Sequence, residues 1–198
     1  MMLAAIAEGP CRVHRPLRGE DPMSTLACME ALGARADWRG EHELTITPPD
    51  EWRIPEHALD CGNSGTTIRL LAGLLAGRPV TATLTGDASL SKRPMRRIAE
   101  PLRLMGAFVE GDTPPLRITG SATLRAIEYE SPVASGQIKS CVLLAGLTAD
   151  GITSVSEPSK SRDHTERMLS ALEVDVRTQS DDDGRYTAWV HPKRRLPA

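Results

Sequence analysis

A glycine-rich turn at 62–66, Gly-Asn-Ser-Gly-Thr, leads directly into the apolar segment LLAGLLAG at 70–77. Small residues allow a tight turn, and the spacing of the leucines predicts that a helix begins there. The first N–H groups of a helix have no partner within it and attract anions. Arg69 would add a positive charge one turn into this helix. The segment therefore predicts a phosphate or carboxylate site, and an ordinary capped helix is the alternative.

Three more segments place small, basic or amide residues where helices are expected to begin. They are Arg93-Pro94, Ser135-Gly136-Gln137 and Ser161-Arg162. Pro94 suits the first position of a helix, which would make Arg93 its N-cap. Asp163 and Glu166 have the spacing of a capping box. If these helix starts converge on one face, they would suit a small molecule that carries phosphate and carboxylate groups.

Composition argues against several classes of function. The chain has 198 residues, a net charge of −2 and only 3% aromatic residues, so it offers little material for stacking on nucleic-acid bases. No apolar run approaches the roughly 18 residues of a membrane helix. The four cysteines and five histidines lack the spacing of metal ligands, so we expect free, mostly buried thiols and neither a metal nor a cofactor. A cytoplasmic protein without nucleic-acid or membrane partners is the expectation.

Three segments share one spacing of leucine and alanine: 2–9, 70–77 and 143–150. Each precedes a β-like run, an amphipathic helix and two short strands. We therefore expect an α/β (α+β) fold in which a helix–strand–helix–strand–strand unit occurs three times around a pseudo-threefold axis. The units, at about 1–58, 59–126 and 127–198, would form a single domain with helices packed inward behind small sheets.

The second amphipathic helix of the middle unit has a clear apolar face, formed by Met95, Ile98, Leu102 and Met105. The acidic run at 181–184 predicts a polar hairpin loop between the last two strands. The first unit starts inside its expected helix and lacks the β-like segment that precedes the other two. The sequence thus looks shortened at its N-terminal end.

Four long segments, in this order, resemble the 5-enolpyruvylshikimate-3-phosphate synthase family over nearly the whole chain. They are GNSGTTIRL (62–70), GDASLSKRPMRRIAEPLRLMGA (86–107), SPVASGQIKSCVLLAGL (131–147) and SKSRDHTERML (159–169). The resemblance implies a shikimate-pathway transferase that joins shikimate 3-phosphate and phosphoenolpyruvate and releases phosphate. It also implies a fold of two similar domains, of which this chain resembles the N-terminal one.

The same resemblance assigns binding residues. Those matching the phosphoenolpyruvate site, which also binds the inhibitor glyphosate, are Asn63, Gly65, Thr66, Arg93 and Gln137. Those matching the shikimate 3-phosphate site are Ser135, Gly136, Gln137, Ser161 and Arg162. No catalytic residue is carried over, because the family's acidic catalytic residues belong to the second domain. The family's Lys-Ser-x-x-x-Arg segment is also unmatched, so we expect the chain alone to be inactive.

Other interpretations remain open at this point. Within the same fold, the related transferase acting on UDP-N-acetylglucosamine is an alternative. The chain could also be the non-catalytic binding half of a split enzyme, with a second chain that supplies the missing domain, or a truncated domain without a function of its own. Apolar surface left uncovered would favour self-association.

Overall fold

The computed structural model describes all 198 residues as a mixed α/β structure, in agreement with the expected class. The helices are α1 (Glu20–Ala31), α2 (Gly65–Ala76), α3 (Arg96–Leu104), α4 (Gly136–Gly146) and α5 (His164–Ala171). The strands are β1 (Cys11–His14), β2 (Arg35–Arg39), β3 (Glu43–Thr47), β4 (Leu59–Asp60), β5 (Thr81–Thr85), β6 (Phe108–Glu110), β7 (Leu116–Thr119), β8 (Glu128–Glu130), β9 (Thr153–Glu157), β10 (Val176–Ser180) and β11 (Tyr186–Val190). Two short 3₁₀ turns complete the structure, at Ala4–Ile6 and Leu90–Lys92.

The strands form three small sheets with related topology. The second sheet has the order β4-β5-β7-β6 and the third has the order β8-β9-β11-β10. In both, the first pair of strands is parallel and the other pairs are antiparallel. The first sheet, β1-β3-β2, is antiparallel throughout and repeats the order of the last three strands. The helices therefore connect sheets of one recurring pattern.

One hydrophobic core runs through the molecule, and α2 and α4 lie at its centre. A single cluster of 46 buried residues extends from Ala5 to Leu196, so all three sheets share it. Nearly every residue of α4 is buried, and this helix packs against α2, α3 and α5. At Gly73 of α2, a methyl group would overlap the backbone carbonyl of Cys141 in α4. The absence of a side chain at Gly73 thus allows the two backbones to touch.

The expected helix at 2–9 is wrong, because only the 3₁₀ turn Ala4–Ile6 forms there. The backbone instead pairs with the end of the chain: Glu8 N donates to the Leu196 carbonyl at 2.7 Å, and Leu196 N donates to the Ile6 carbonyl at 3.0 Å. Pairing in the manner of a strand is incompatible with a continued helix. This contact between the two ends of the chain could not be read from local spacing.

The predictions for the apolar face of α3, for the last hairpin and for the cysteines are confirmed. The apolar face of α3, from Met95 to Met105, is at most 1% exposed at its four predicted positions. The acidic run lies in the turn between β10 and β11. All four cysteines are free, and three are buried, while Cys11 is partly exposed. None of the helices combines the length and the apolar character that crossing a membrane would require.

Replacing Gly73 with alanine is expected to lower the free energy of unfolding by about 1–3 kcal/mol, because the added methyl group pushes α2 away from α4. Urea denaturation followed by circular dichroism measures the change. Ser170→Ala, at an exposed position of α5, is the control and should change the free energy of unfolding by less than about 0.5 kcal/mol. Equal stability of the two variants would show that the close contact is not required.

Candidate functional site

Two of the expected helix starts are confirmed. Helix α2 begins at Gly65, and the hydroxyl of its N-cap Ser64 accepts a hydrogen bond from Thr67 N at 3.1 Å. Helix α4 begins at Gly136, and its N-cap Ser135 accepts from Ile138 N at 3.4 Å. A hydrogen bond from Gln137 in the first turn of α4 to Thr66 in the first turn of α2 shows that the two helix starts lie close together. Anions are attracted to such a place.

The side chain of Gln137 joins the two helix starts. Its Nε2 donates to Thr66 Oγ1 at 2.8 Å, and its Oε1 accepts from Arg69 Nη1 at 3.1 Å. Arg69 Nη1 also donates to the Gly65 carbonyl at 3.0 Å. One donor and one acceptor thereby orient the amide group, and Gln137 is fixed between the first turns of α2 and α4.

Arg93 does not cap α3 as expected. The helix begins at Arg96 with Met95 as its N-cap, and Arg93 is extended, with φ −78° and ψ 133°. Steric contact with the ring of Pro94 favours this extended conformation over a helical one. Arg93 nevertheless reaches the glycine-rich loop, where its Nη2 donates to Asn63 Oδ1 at 2.6 Å. The expected residue therefore lies at the site, but for a different structural reason.

Asp87 supports this arrangement and was not found from the sequence. Asn63 Nδ2 donates to its Oδ2 at 2.6 Å, while Ser89 N and Leu90 N donate to its Oδ1. The hydrogen bonds from Asn63 and from the Leu90 N–H hold the pKa of Asp87 below its usual value. The ionised carboxylate thus orients Asn63, which in turn holds Arg93.

Two guanidinium groups converge over Gly65. A methyl group at this position would lie 2.6 Å from Arg69 Nη1 and 3.0 Å from Arg93 Nη1. Burial, and secondly the charge of Arg93, lower the pKa of Arg69. Neither arginine forms a salt bridge within the chain. Two uncompensated positive charges beside a helix N-terminus form an environment that favours an anion.

A cleft of about 500 Å³ opens between α2, α4 and the segment before α5. It is lined by all five residues of the expected shikimate 3-phosphate site, together with Thr66 and His164. Arg162 is exposed and forms no salt bridge. No carboxylate lines this cleft. Asn63, Gly65 and Arg93 are not among its lining residues. Gly65 is connected to it through Arg69 and Gln137, and the hydrogen-bonded pair of Arg93 and Asn63 lies beside Gly65.

Behind the cleft lies a buried ionic cluster that sequence reasoning missed. Lys139 Nζ lies 2.7 Å from Glu157 Oε1 and 2.8 Å from Glu166 Oε1. The expected capping box is therefore wrong: Glu166 turns into the core, and Asp163 pairs with exposed Lys160 at 3.0 Å. The buried ammonium attracts Glu166 more strongly than the solvated helix end does.

The carboxylate of Glu157 connects this cluster to the cleft. It accepts hydrogen bonds from Ser161 N at 2.8 Å, from Ser161 Oγ at 2.8 Å and from Ser135 N at 3.0 Å. Burial acts to raise the pKa of Glu157, but the hydrogen bonds from Lys139 and Ser161 outweigh it and lower the pKa. The resulting stabilisation is present above the ordinary glutamate pKa and is lost as the pH falls through the lowered value.

Comparison with known proteins identifies the family. A family model for EPSP synthase (3-phosphoshikimate 1-carboxyvinyltransferase) matches residues 1–198. The chain belongs to the EPSP synthase family. The resemblance expected from the four sequence segments is thereby confirmed, while the roles of individual residues stay predictions.

Relatives of this EPSP synthase-family chain are similar over most of its length. It is 52% identical over 201 residues to the 3-phosphoshikimate 1-carboxyvinyltransferase of Gloeobacter violaceus, covering 98% of the chain and 45% of that protein. With the Bacillus licheniformis protein of the same name it shares 50% identity over 183 residues, covering 89% of the chain and 42% of that protein. A solved structure of EPSP synthase from Acinetobacter baumannii matches with a TM-score of 0.90 and 45% identity, covering 100% of the chain and 44% of that protein. The chain thus spans less than half the length of these relatives.

Replacing Lys139 with methionine in this EPSP synthase-family chain is expected to lower the free energy of unfolding by about 3–5 kcal/mol, because two buried carboxylates lose their counter-ion. Urea denaturation at neutral pH measures the effect. Lys160→Met is the matched control, since it breaks an exposed ion pair of the same type, and it should have little effect on stability. If both variants were equally stable, the buried cluster would not contribute to the fold.

Proposed function

We propose that the chain forms the shikimate 3-phosphate-binding part of a 3-phosphoshikimate 1-carboxyvinyltransferase. Such an enzyme transfers the enolpyruvyl group of phosphoenolpyruvate to shikimate 3-phosphate and releases phosphate. The observation that carries this proposal is the cleft in which the starts of α4 and α5 and residue Thr66 of α2 face one another. The names of the relatives support the choice of substrate, and the size and lining of the cleft support the proposed position of the site.

On the shikimate 3-phosphate side, the first turn of α4 offers N–H groups and the positive end of its dipole to a phosphate. Ser135, Gly136 and Gln137 form this turn, and Arg162, whose backbone lies beside Gly136, adds a positive charge to the lining. The hydroxyl of Ser161 lies on the same lining. Together these groups suit a small ring that carries one phosphate and several hydroxyls.

On the phosphoenolpyruvate side, the binding groups are those of the glycine-rich loop. Arg93, held by Asn63, and Arg69, held by Gln137, present two guanidinium groups near Gly65. A guanidinium group can donate two parallel hydrogen bonds to two oxygens of one carboxylate or phosphate group. We propose that phosphoenolpyruvate binds here beside Thr66, and that glyphosate, which carries the same kinds of charged group, competes for the place.

We further propose that the chain is one domain of three units, at about 1–58, 59–126 and 127–198. The recurring strand order of the three sheets and the shared core support this division. Because relatives are more than twice as long, we propose that additional protein, in the same chain or in a second one, covers the cleft in the active enzyme. Alternatively, a second copy of this chain could associate through its exposed apolar residues and cover the cleft.

Titration with shikimate 3-phosphate is expected to shift the amide NMR signals of Ser135, Gln137 and Ser161 in a saturable way, because these residues line the cleft. Arg162→Ala should weaken the affinity about 3–10-fold, since one charge-assisted hydrogen bond is lost from an exposed position. Calorimetry provides the dissociation constants.

Arg167→Ala is the control for this titration, because Arg167 is an exposed arginine of α5 outside the cleft. It should leave the affinity unchanged. The proposed function would be wrong if millimolar shikimate 3-phosphate produced no saturable shift. It would also be wrong if the Arg162 and Arg167 variants lost affinity equally.

The 198 residues alone are expected to show no turnover. Transfer of the enolpyruvyl group needs a positioned acid and base, and no carboxylate lines the cleft. Phosphate release in the presence of both substrates measures this directly. Sustained release above the protein-free rate would contradict the proposal and would require an acid and a base within this chain.

A further inference from the structure

Glu157, at the end of β9, is a buried acidic residue whose side chain is 1% exposed. Its carboxylate accepts hydrogen bonds from four donor groups at distances between 2.7 and 3.0 Å. They are Lys139 Nζ, Ser135 N, Ser161 N and Ser161 Oγ. Ser135 is the N-cap of α4, and Ser161 lies three residues before α5. One side chain thus fixes the end of a strand to the starts of two helices.

The charged groups around Glu157 are buried and paired with one another. Lys139 is completely buried within α4, and its ammonium lies between Glu157 and Glu166, 4.4 Å from the centre of the Tyr186 ring. Lys160 Nζ lies 5.3 Å from the centre of the same ring, and no other charged side chain pairs with Lys139. Buried ion pairs contribute little to stability compared with apolar residues of the same volume. A role in orientation explains the charges better than a role in stability.

The geometry at Ser161 supports that role. Its hydroxyl oxygen lies 2.8 Å from both carboxylate oxygens of Glu157. The hydroxyl proton is therefore directed at the carboxylate, and the lone pairs of the oxygen remain available to the cleft. Because the Ser161 N–H is held by the same carboxylate, neither the backbone nor the side chain of this residue can turn without breaking a charge-assisted hydrogen bond.

We propose that Glu157 is a positioning residue for the shikimate 3-phosphate site, whose ionised carboxylate holds Ser135 and Ser161 at a fixed separation. The inference rests on the function proposed above. Glu157 itself does not line the cleft, so it acts through the two serines. Preorganisation of this kind raises affinity because the ligand does not have to order the loops on binding.

The test compares Glu157→Gln with Glu166→Gln. Both variants remove one carboxylate from Lys139. Only the first replaces one of the two oxygens that accept from Ser135 N and Ser161 N by an NH2 group, so at least one of these N–H groups loses its acceptor. Without ligand, amide hydrogen exchange at Ser135 or Ser161 should become at least about 10-fold faster in Glu157→Gln, while exchange at both should stay within about 3-fold of wild type in Glu166→Gln.

The affinity for shikimate 3-phosphate, measured by calorimetry, should fall at least about 10-fold in Glu157→Gln and less than about 3-fold in Glu166→Gln. Equal losses in the two variants would overturn the proposal, because they would show a merely structural role for the whole cluster. Unchanged exchange and affinity in Glu157→Gln would overturn it as well.

If Glu157→Gln does not fold, Glu157→Asp takes its place, since it keeps the charge but shortens the side chain by one methylene group. It should fold and bind shikimate 3-phosphate more weakly than wild type, with faster exchange at Ser135 or Ser161. Wild-type behaviour in both measurements would overturn the positioning role. Failure of the wild-type chain to bind shikimate 3-phosphate would instead overturn the proposed function, and the exchange rates would then decide the positioning role by themselves.

Discussion

The contact between the backbones of α2 and α4 at Gly73 and Cys141 is the constraint on which the site depends. Because the two helices touch there, their first turns lie close enough for Gln137 to reach Thr66. The Cys141 thiol contributes to this helix contact only as an apolar group, because burial raises its pKa to about 12 and keeps it neutral. The convergence of the two helix starts at the cleft is thus a consequence of helix packing and not of the loops alone.

Charge is distributed unequally between the two sides of the cleft. At the glycine-rich loop, Arg69 and Arg93 have no carboxylate partner, while behind the cleft Lys139 has two. Uncompensated charge therefore faces the place where an anion would bind, and compensated charge lies in the interior. An ion pair in the interior needs its hydrogen bonds satisfied, which explains why Glu157 makes so many contacts.

Local sequence signals predicted those parts of the site that depend on neighbouring residues. The starts of α2 and α4 follow from a glycine or serine before a regular apolar pattern, and both are correct. The expectation that Arg93 caps α3 is wrong, because Pro94 resembles a first helical residue although the helix starts at Arg96. The pairing of Lys139 with Glu157 and Glu166 joins residues 18 and 27 positions apart, on different elements. Only the tertiary fold determines such contacts, and the substrates themselves came from family resemblance.

The neutral bridge formed by Gln137 has a consequence for the chemical ageing of the protein. Deamidation would replace one nitrogen by oxygen with almost no change of shape, yet it would place a carboxylate against Arg69. One of the two positive charges at the glycine-rich loop would then be cancelled internally, and the field that attracts an anion would weaken. The same product would also lose its donor to Thr66. A single hydrolysed amide would therefore weaken the attraction of the cleft for an anion without any substitution in the chain.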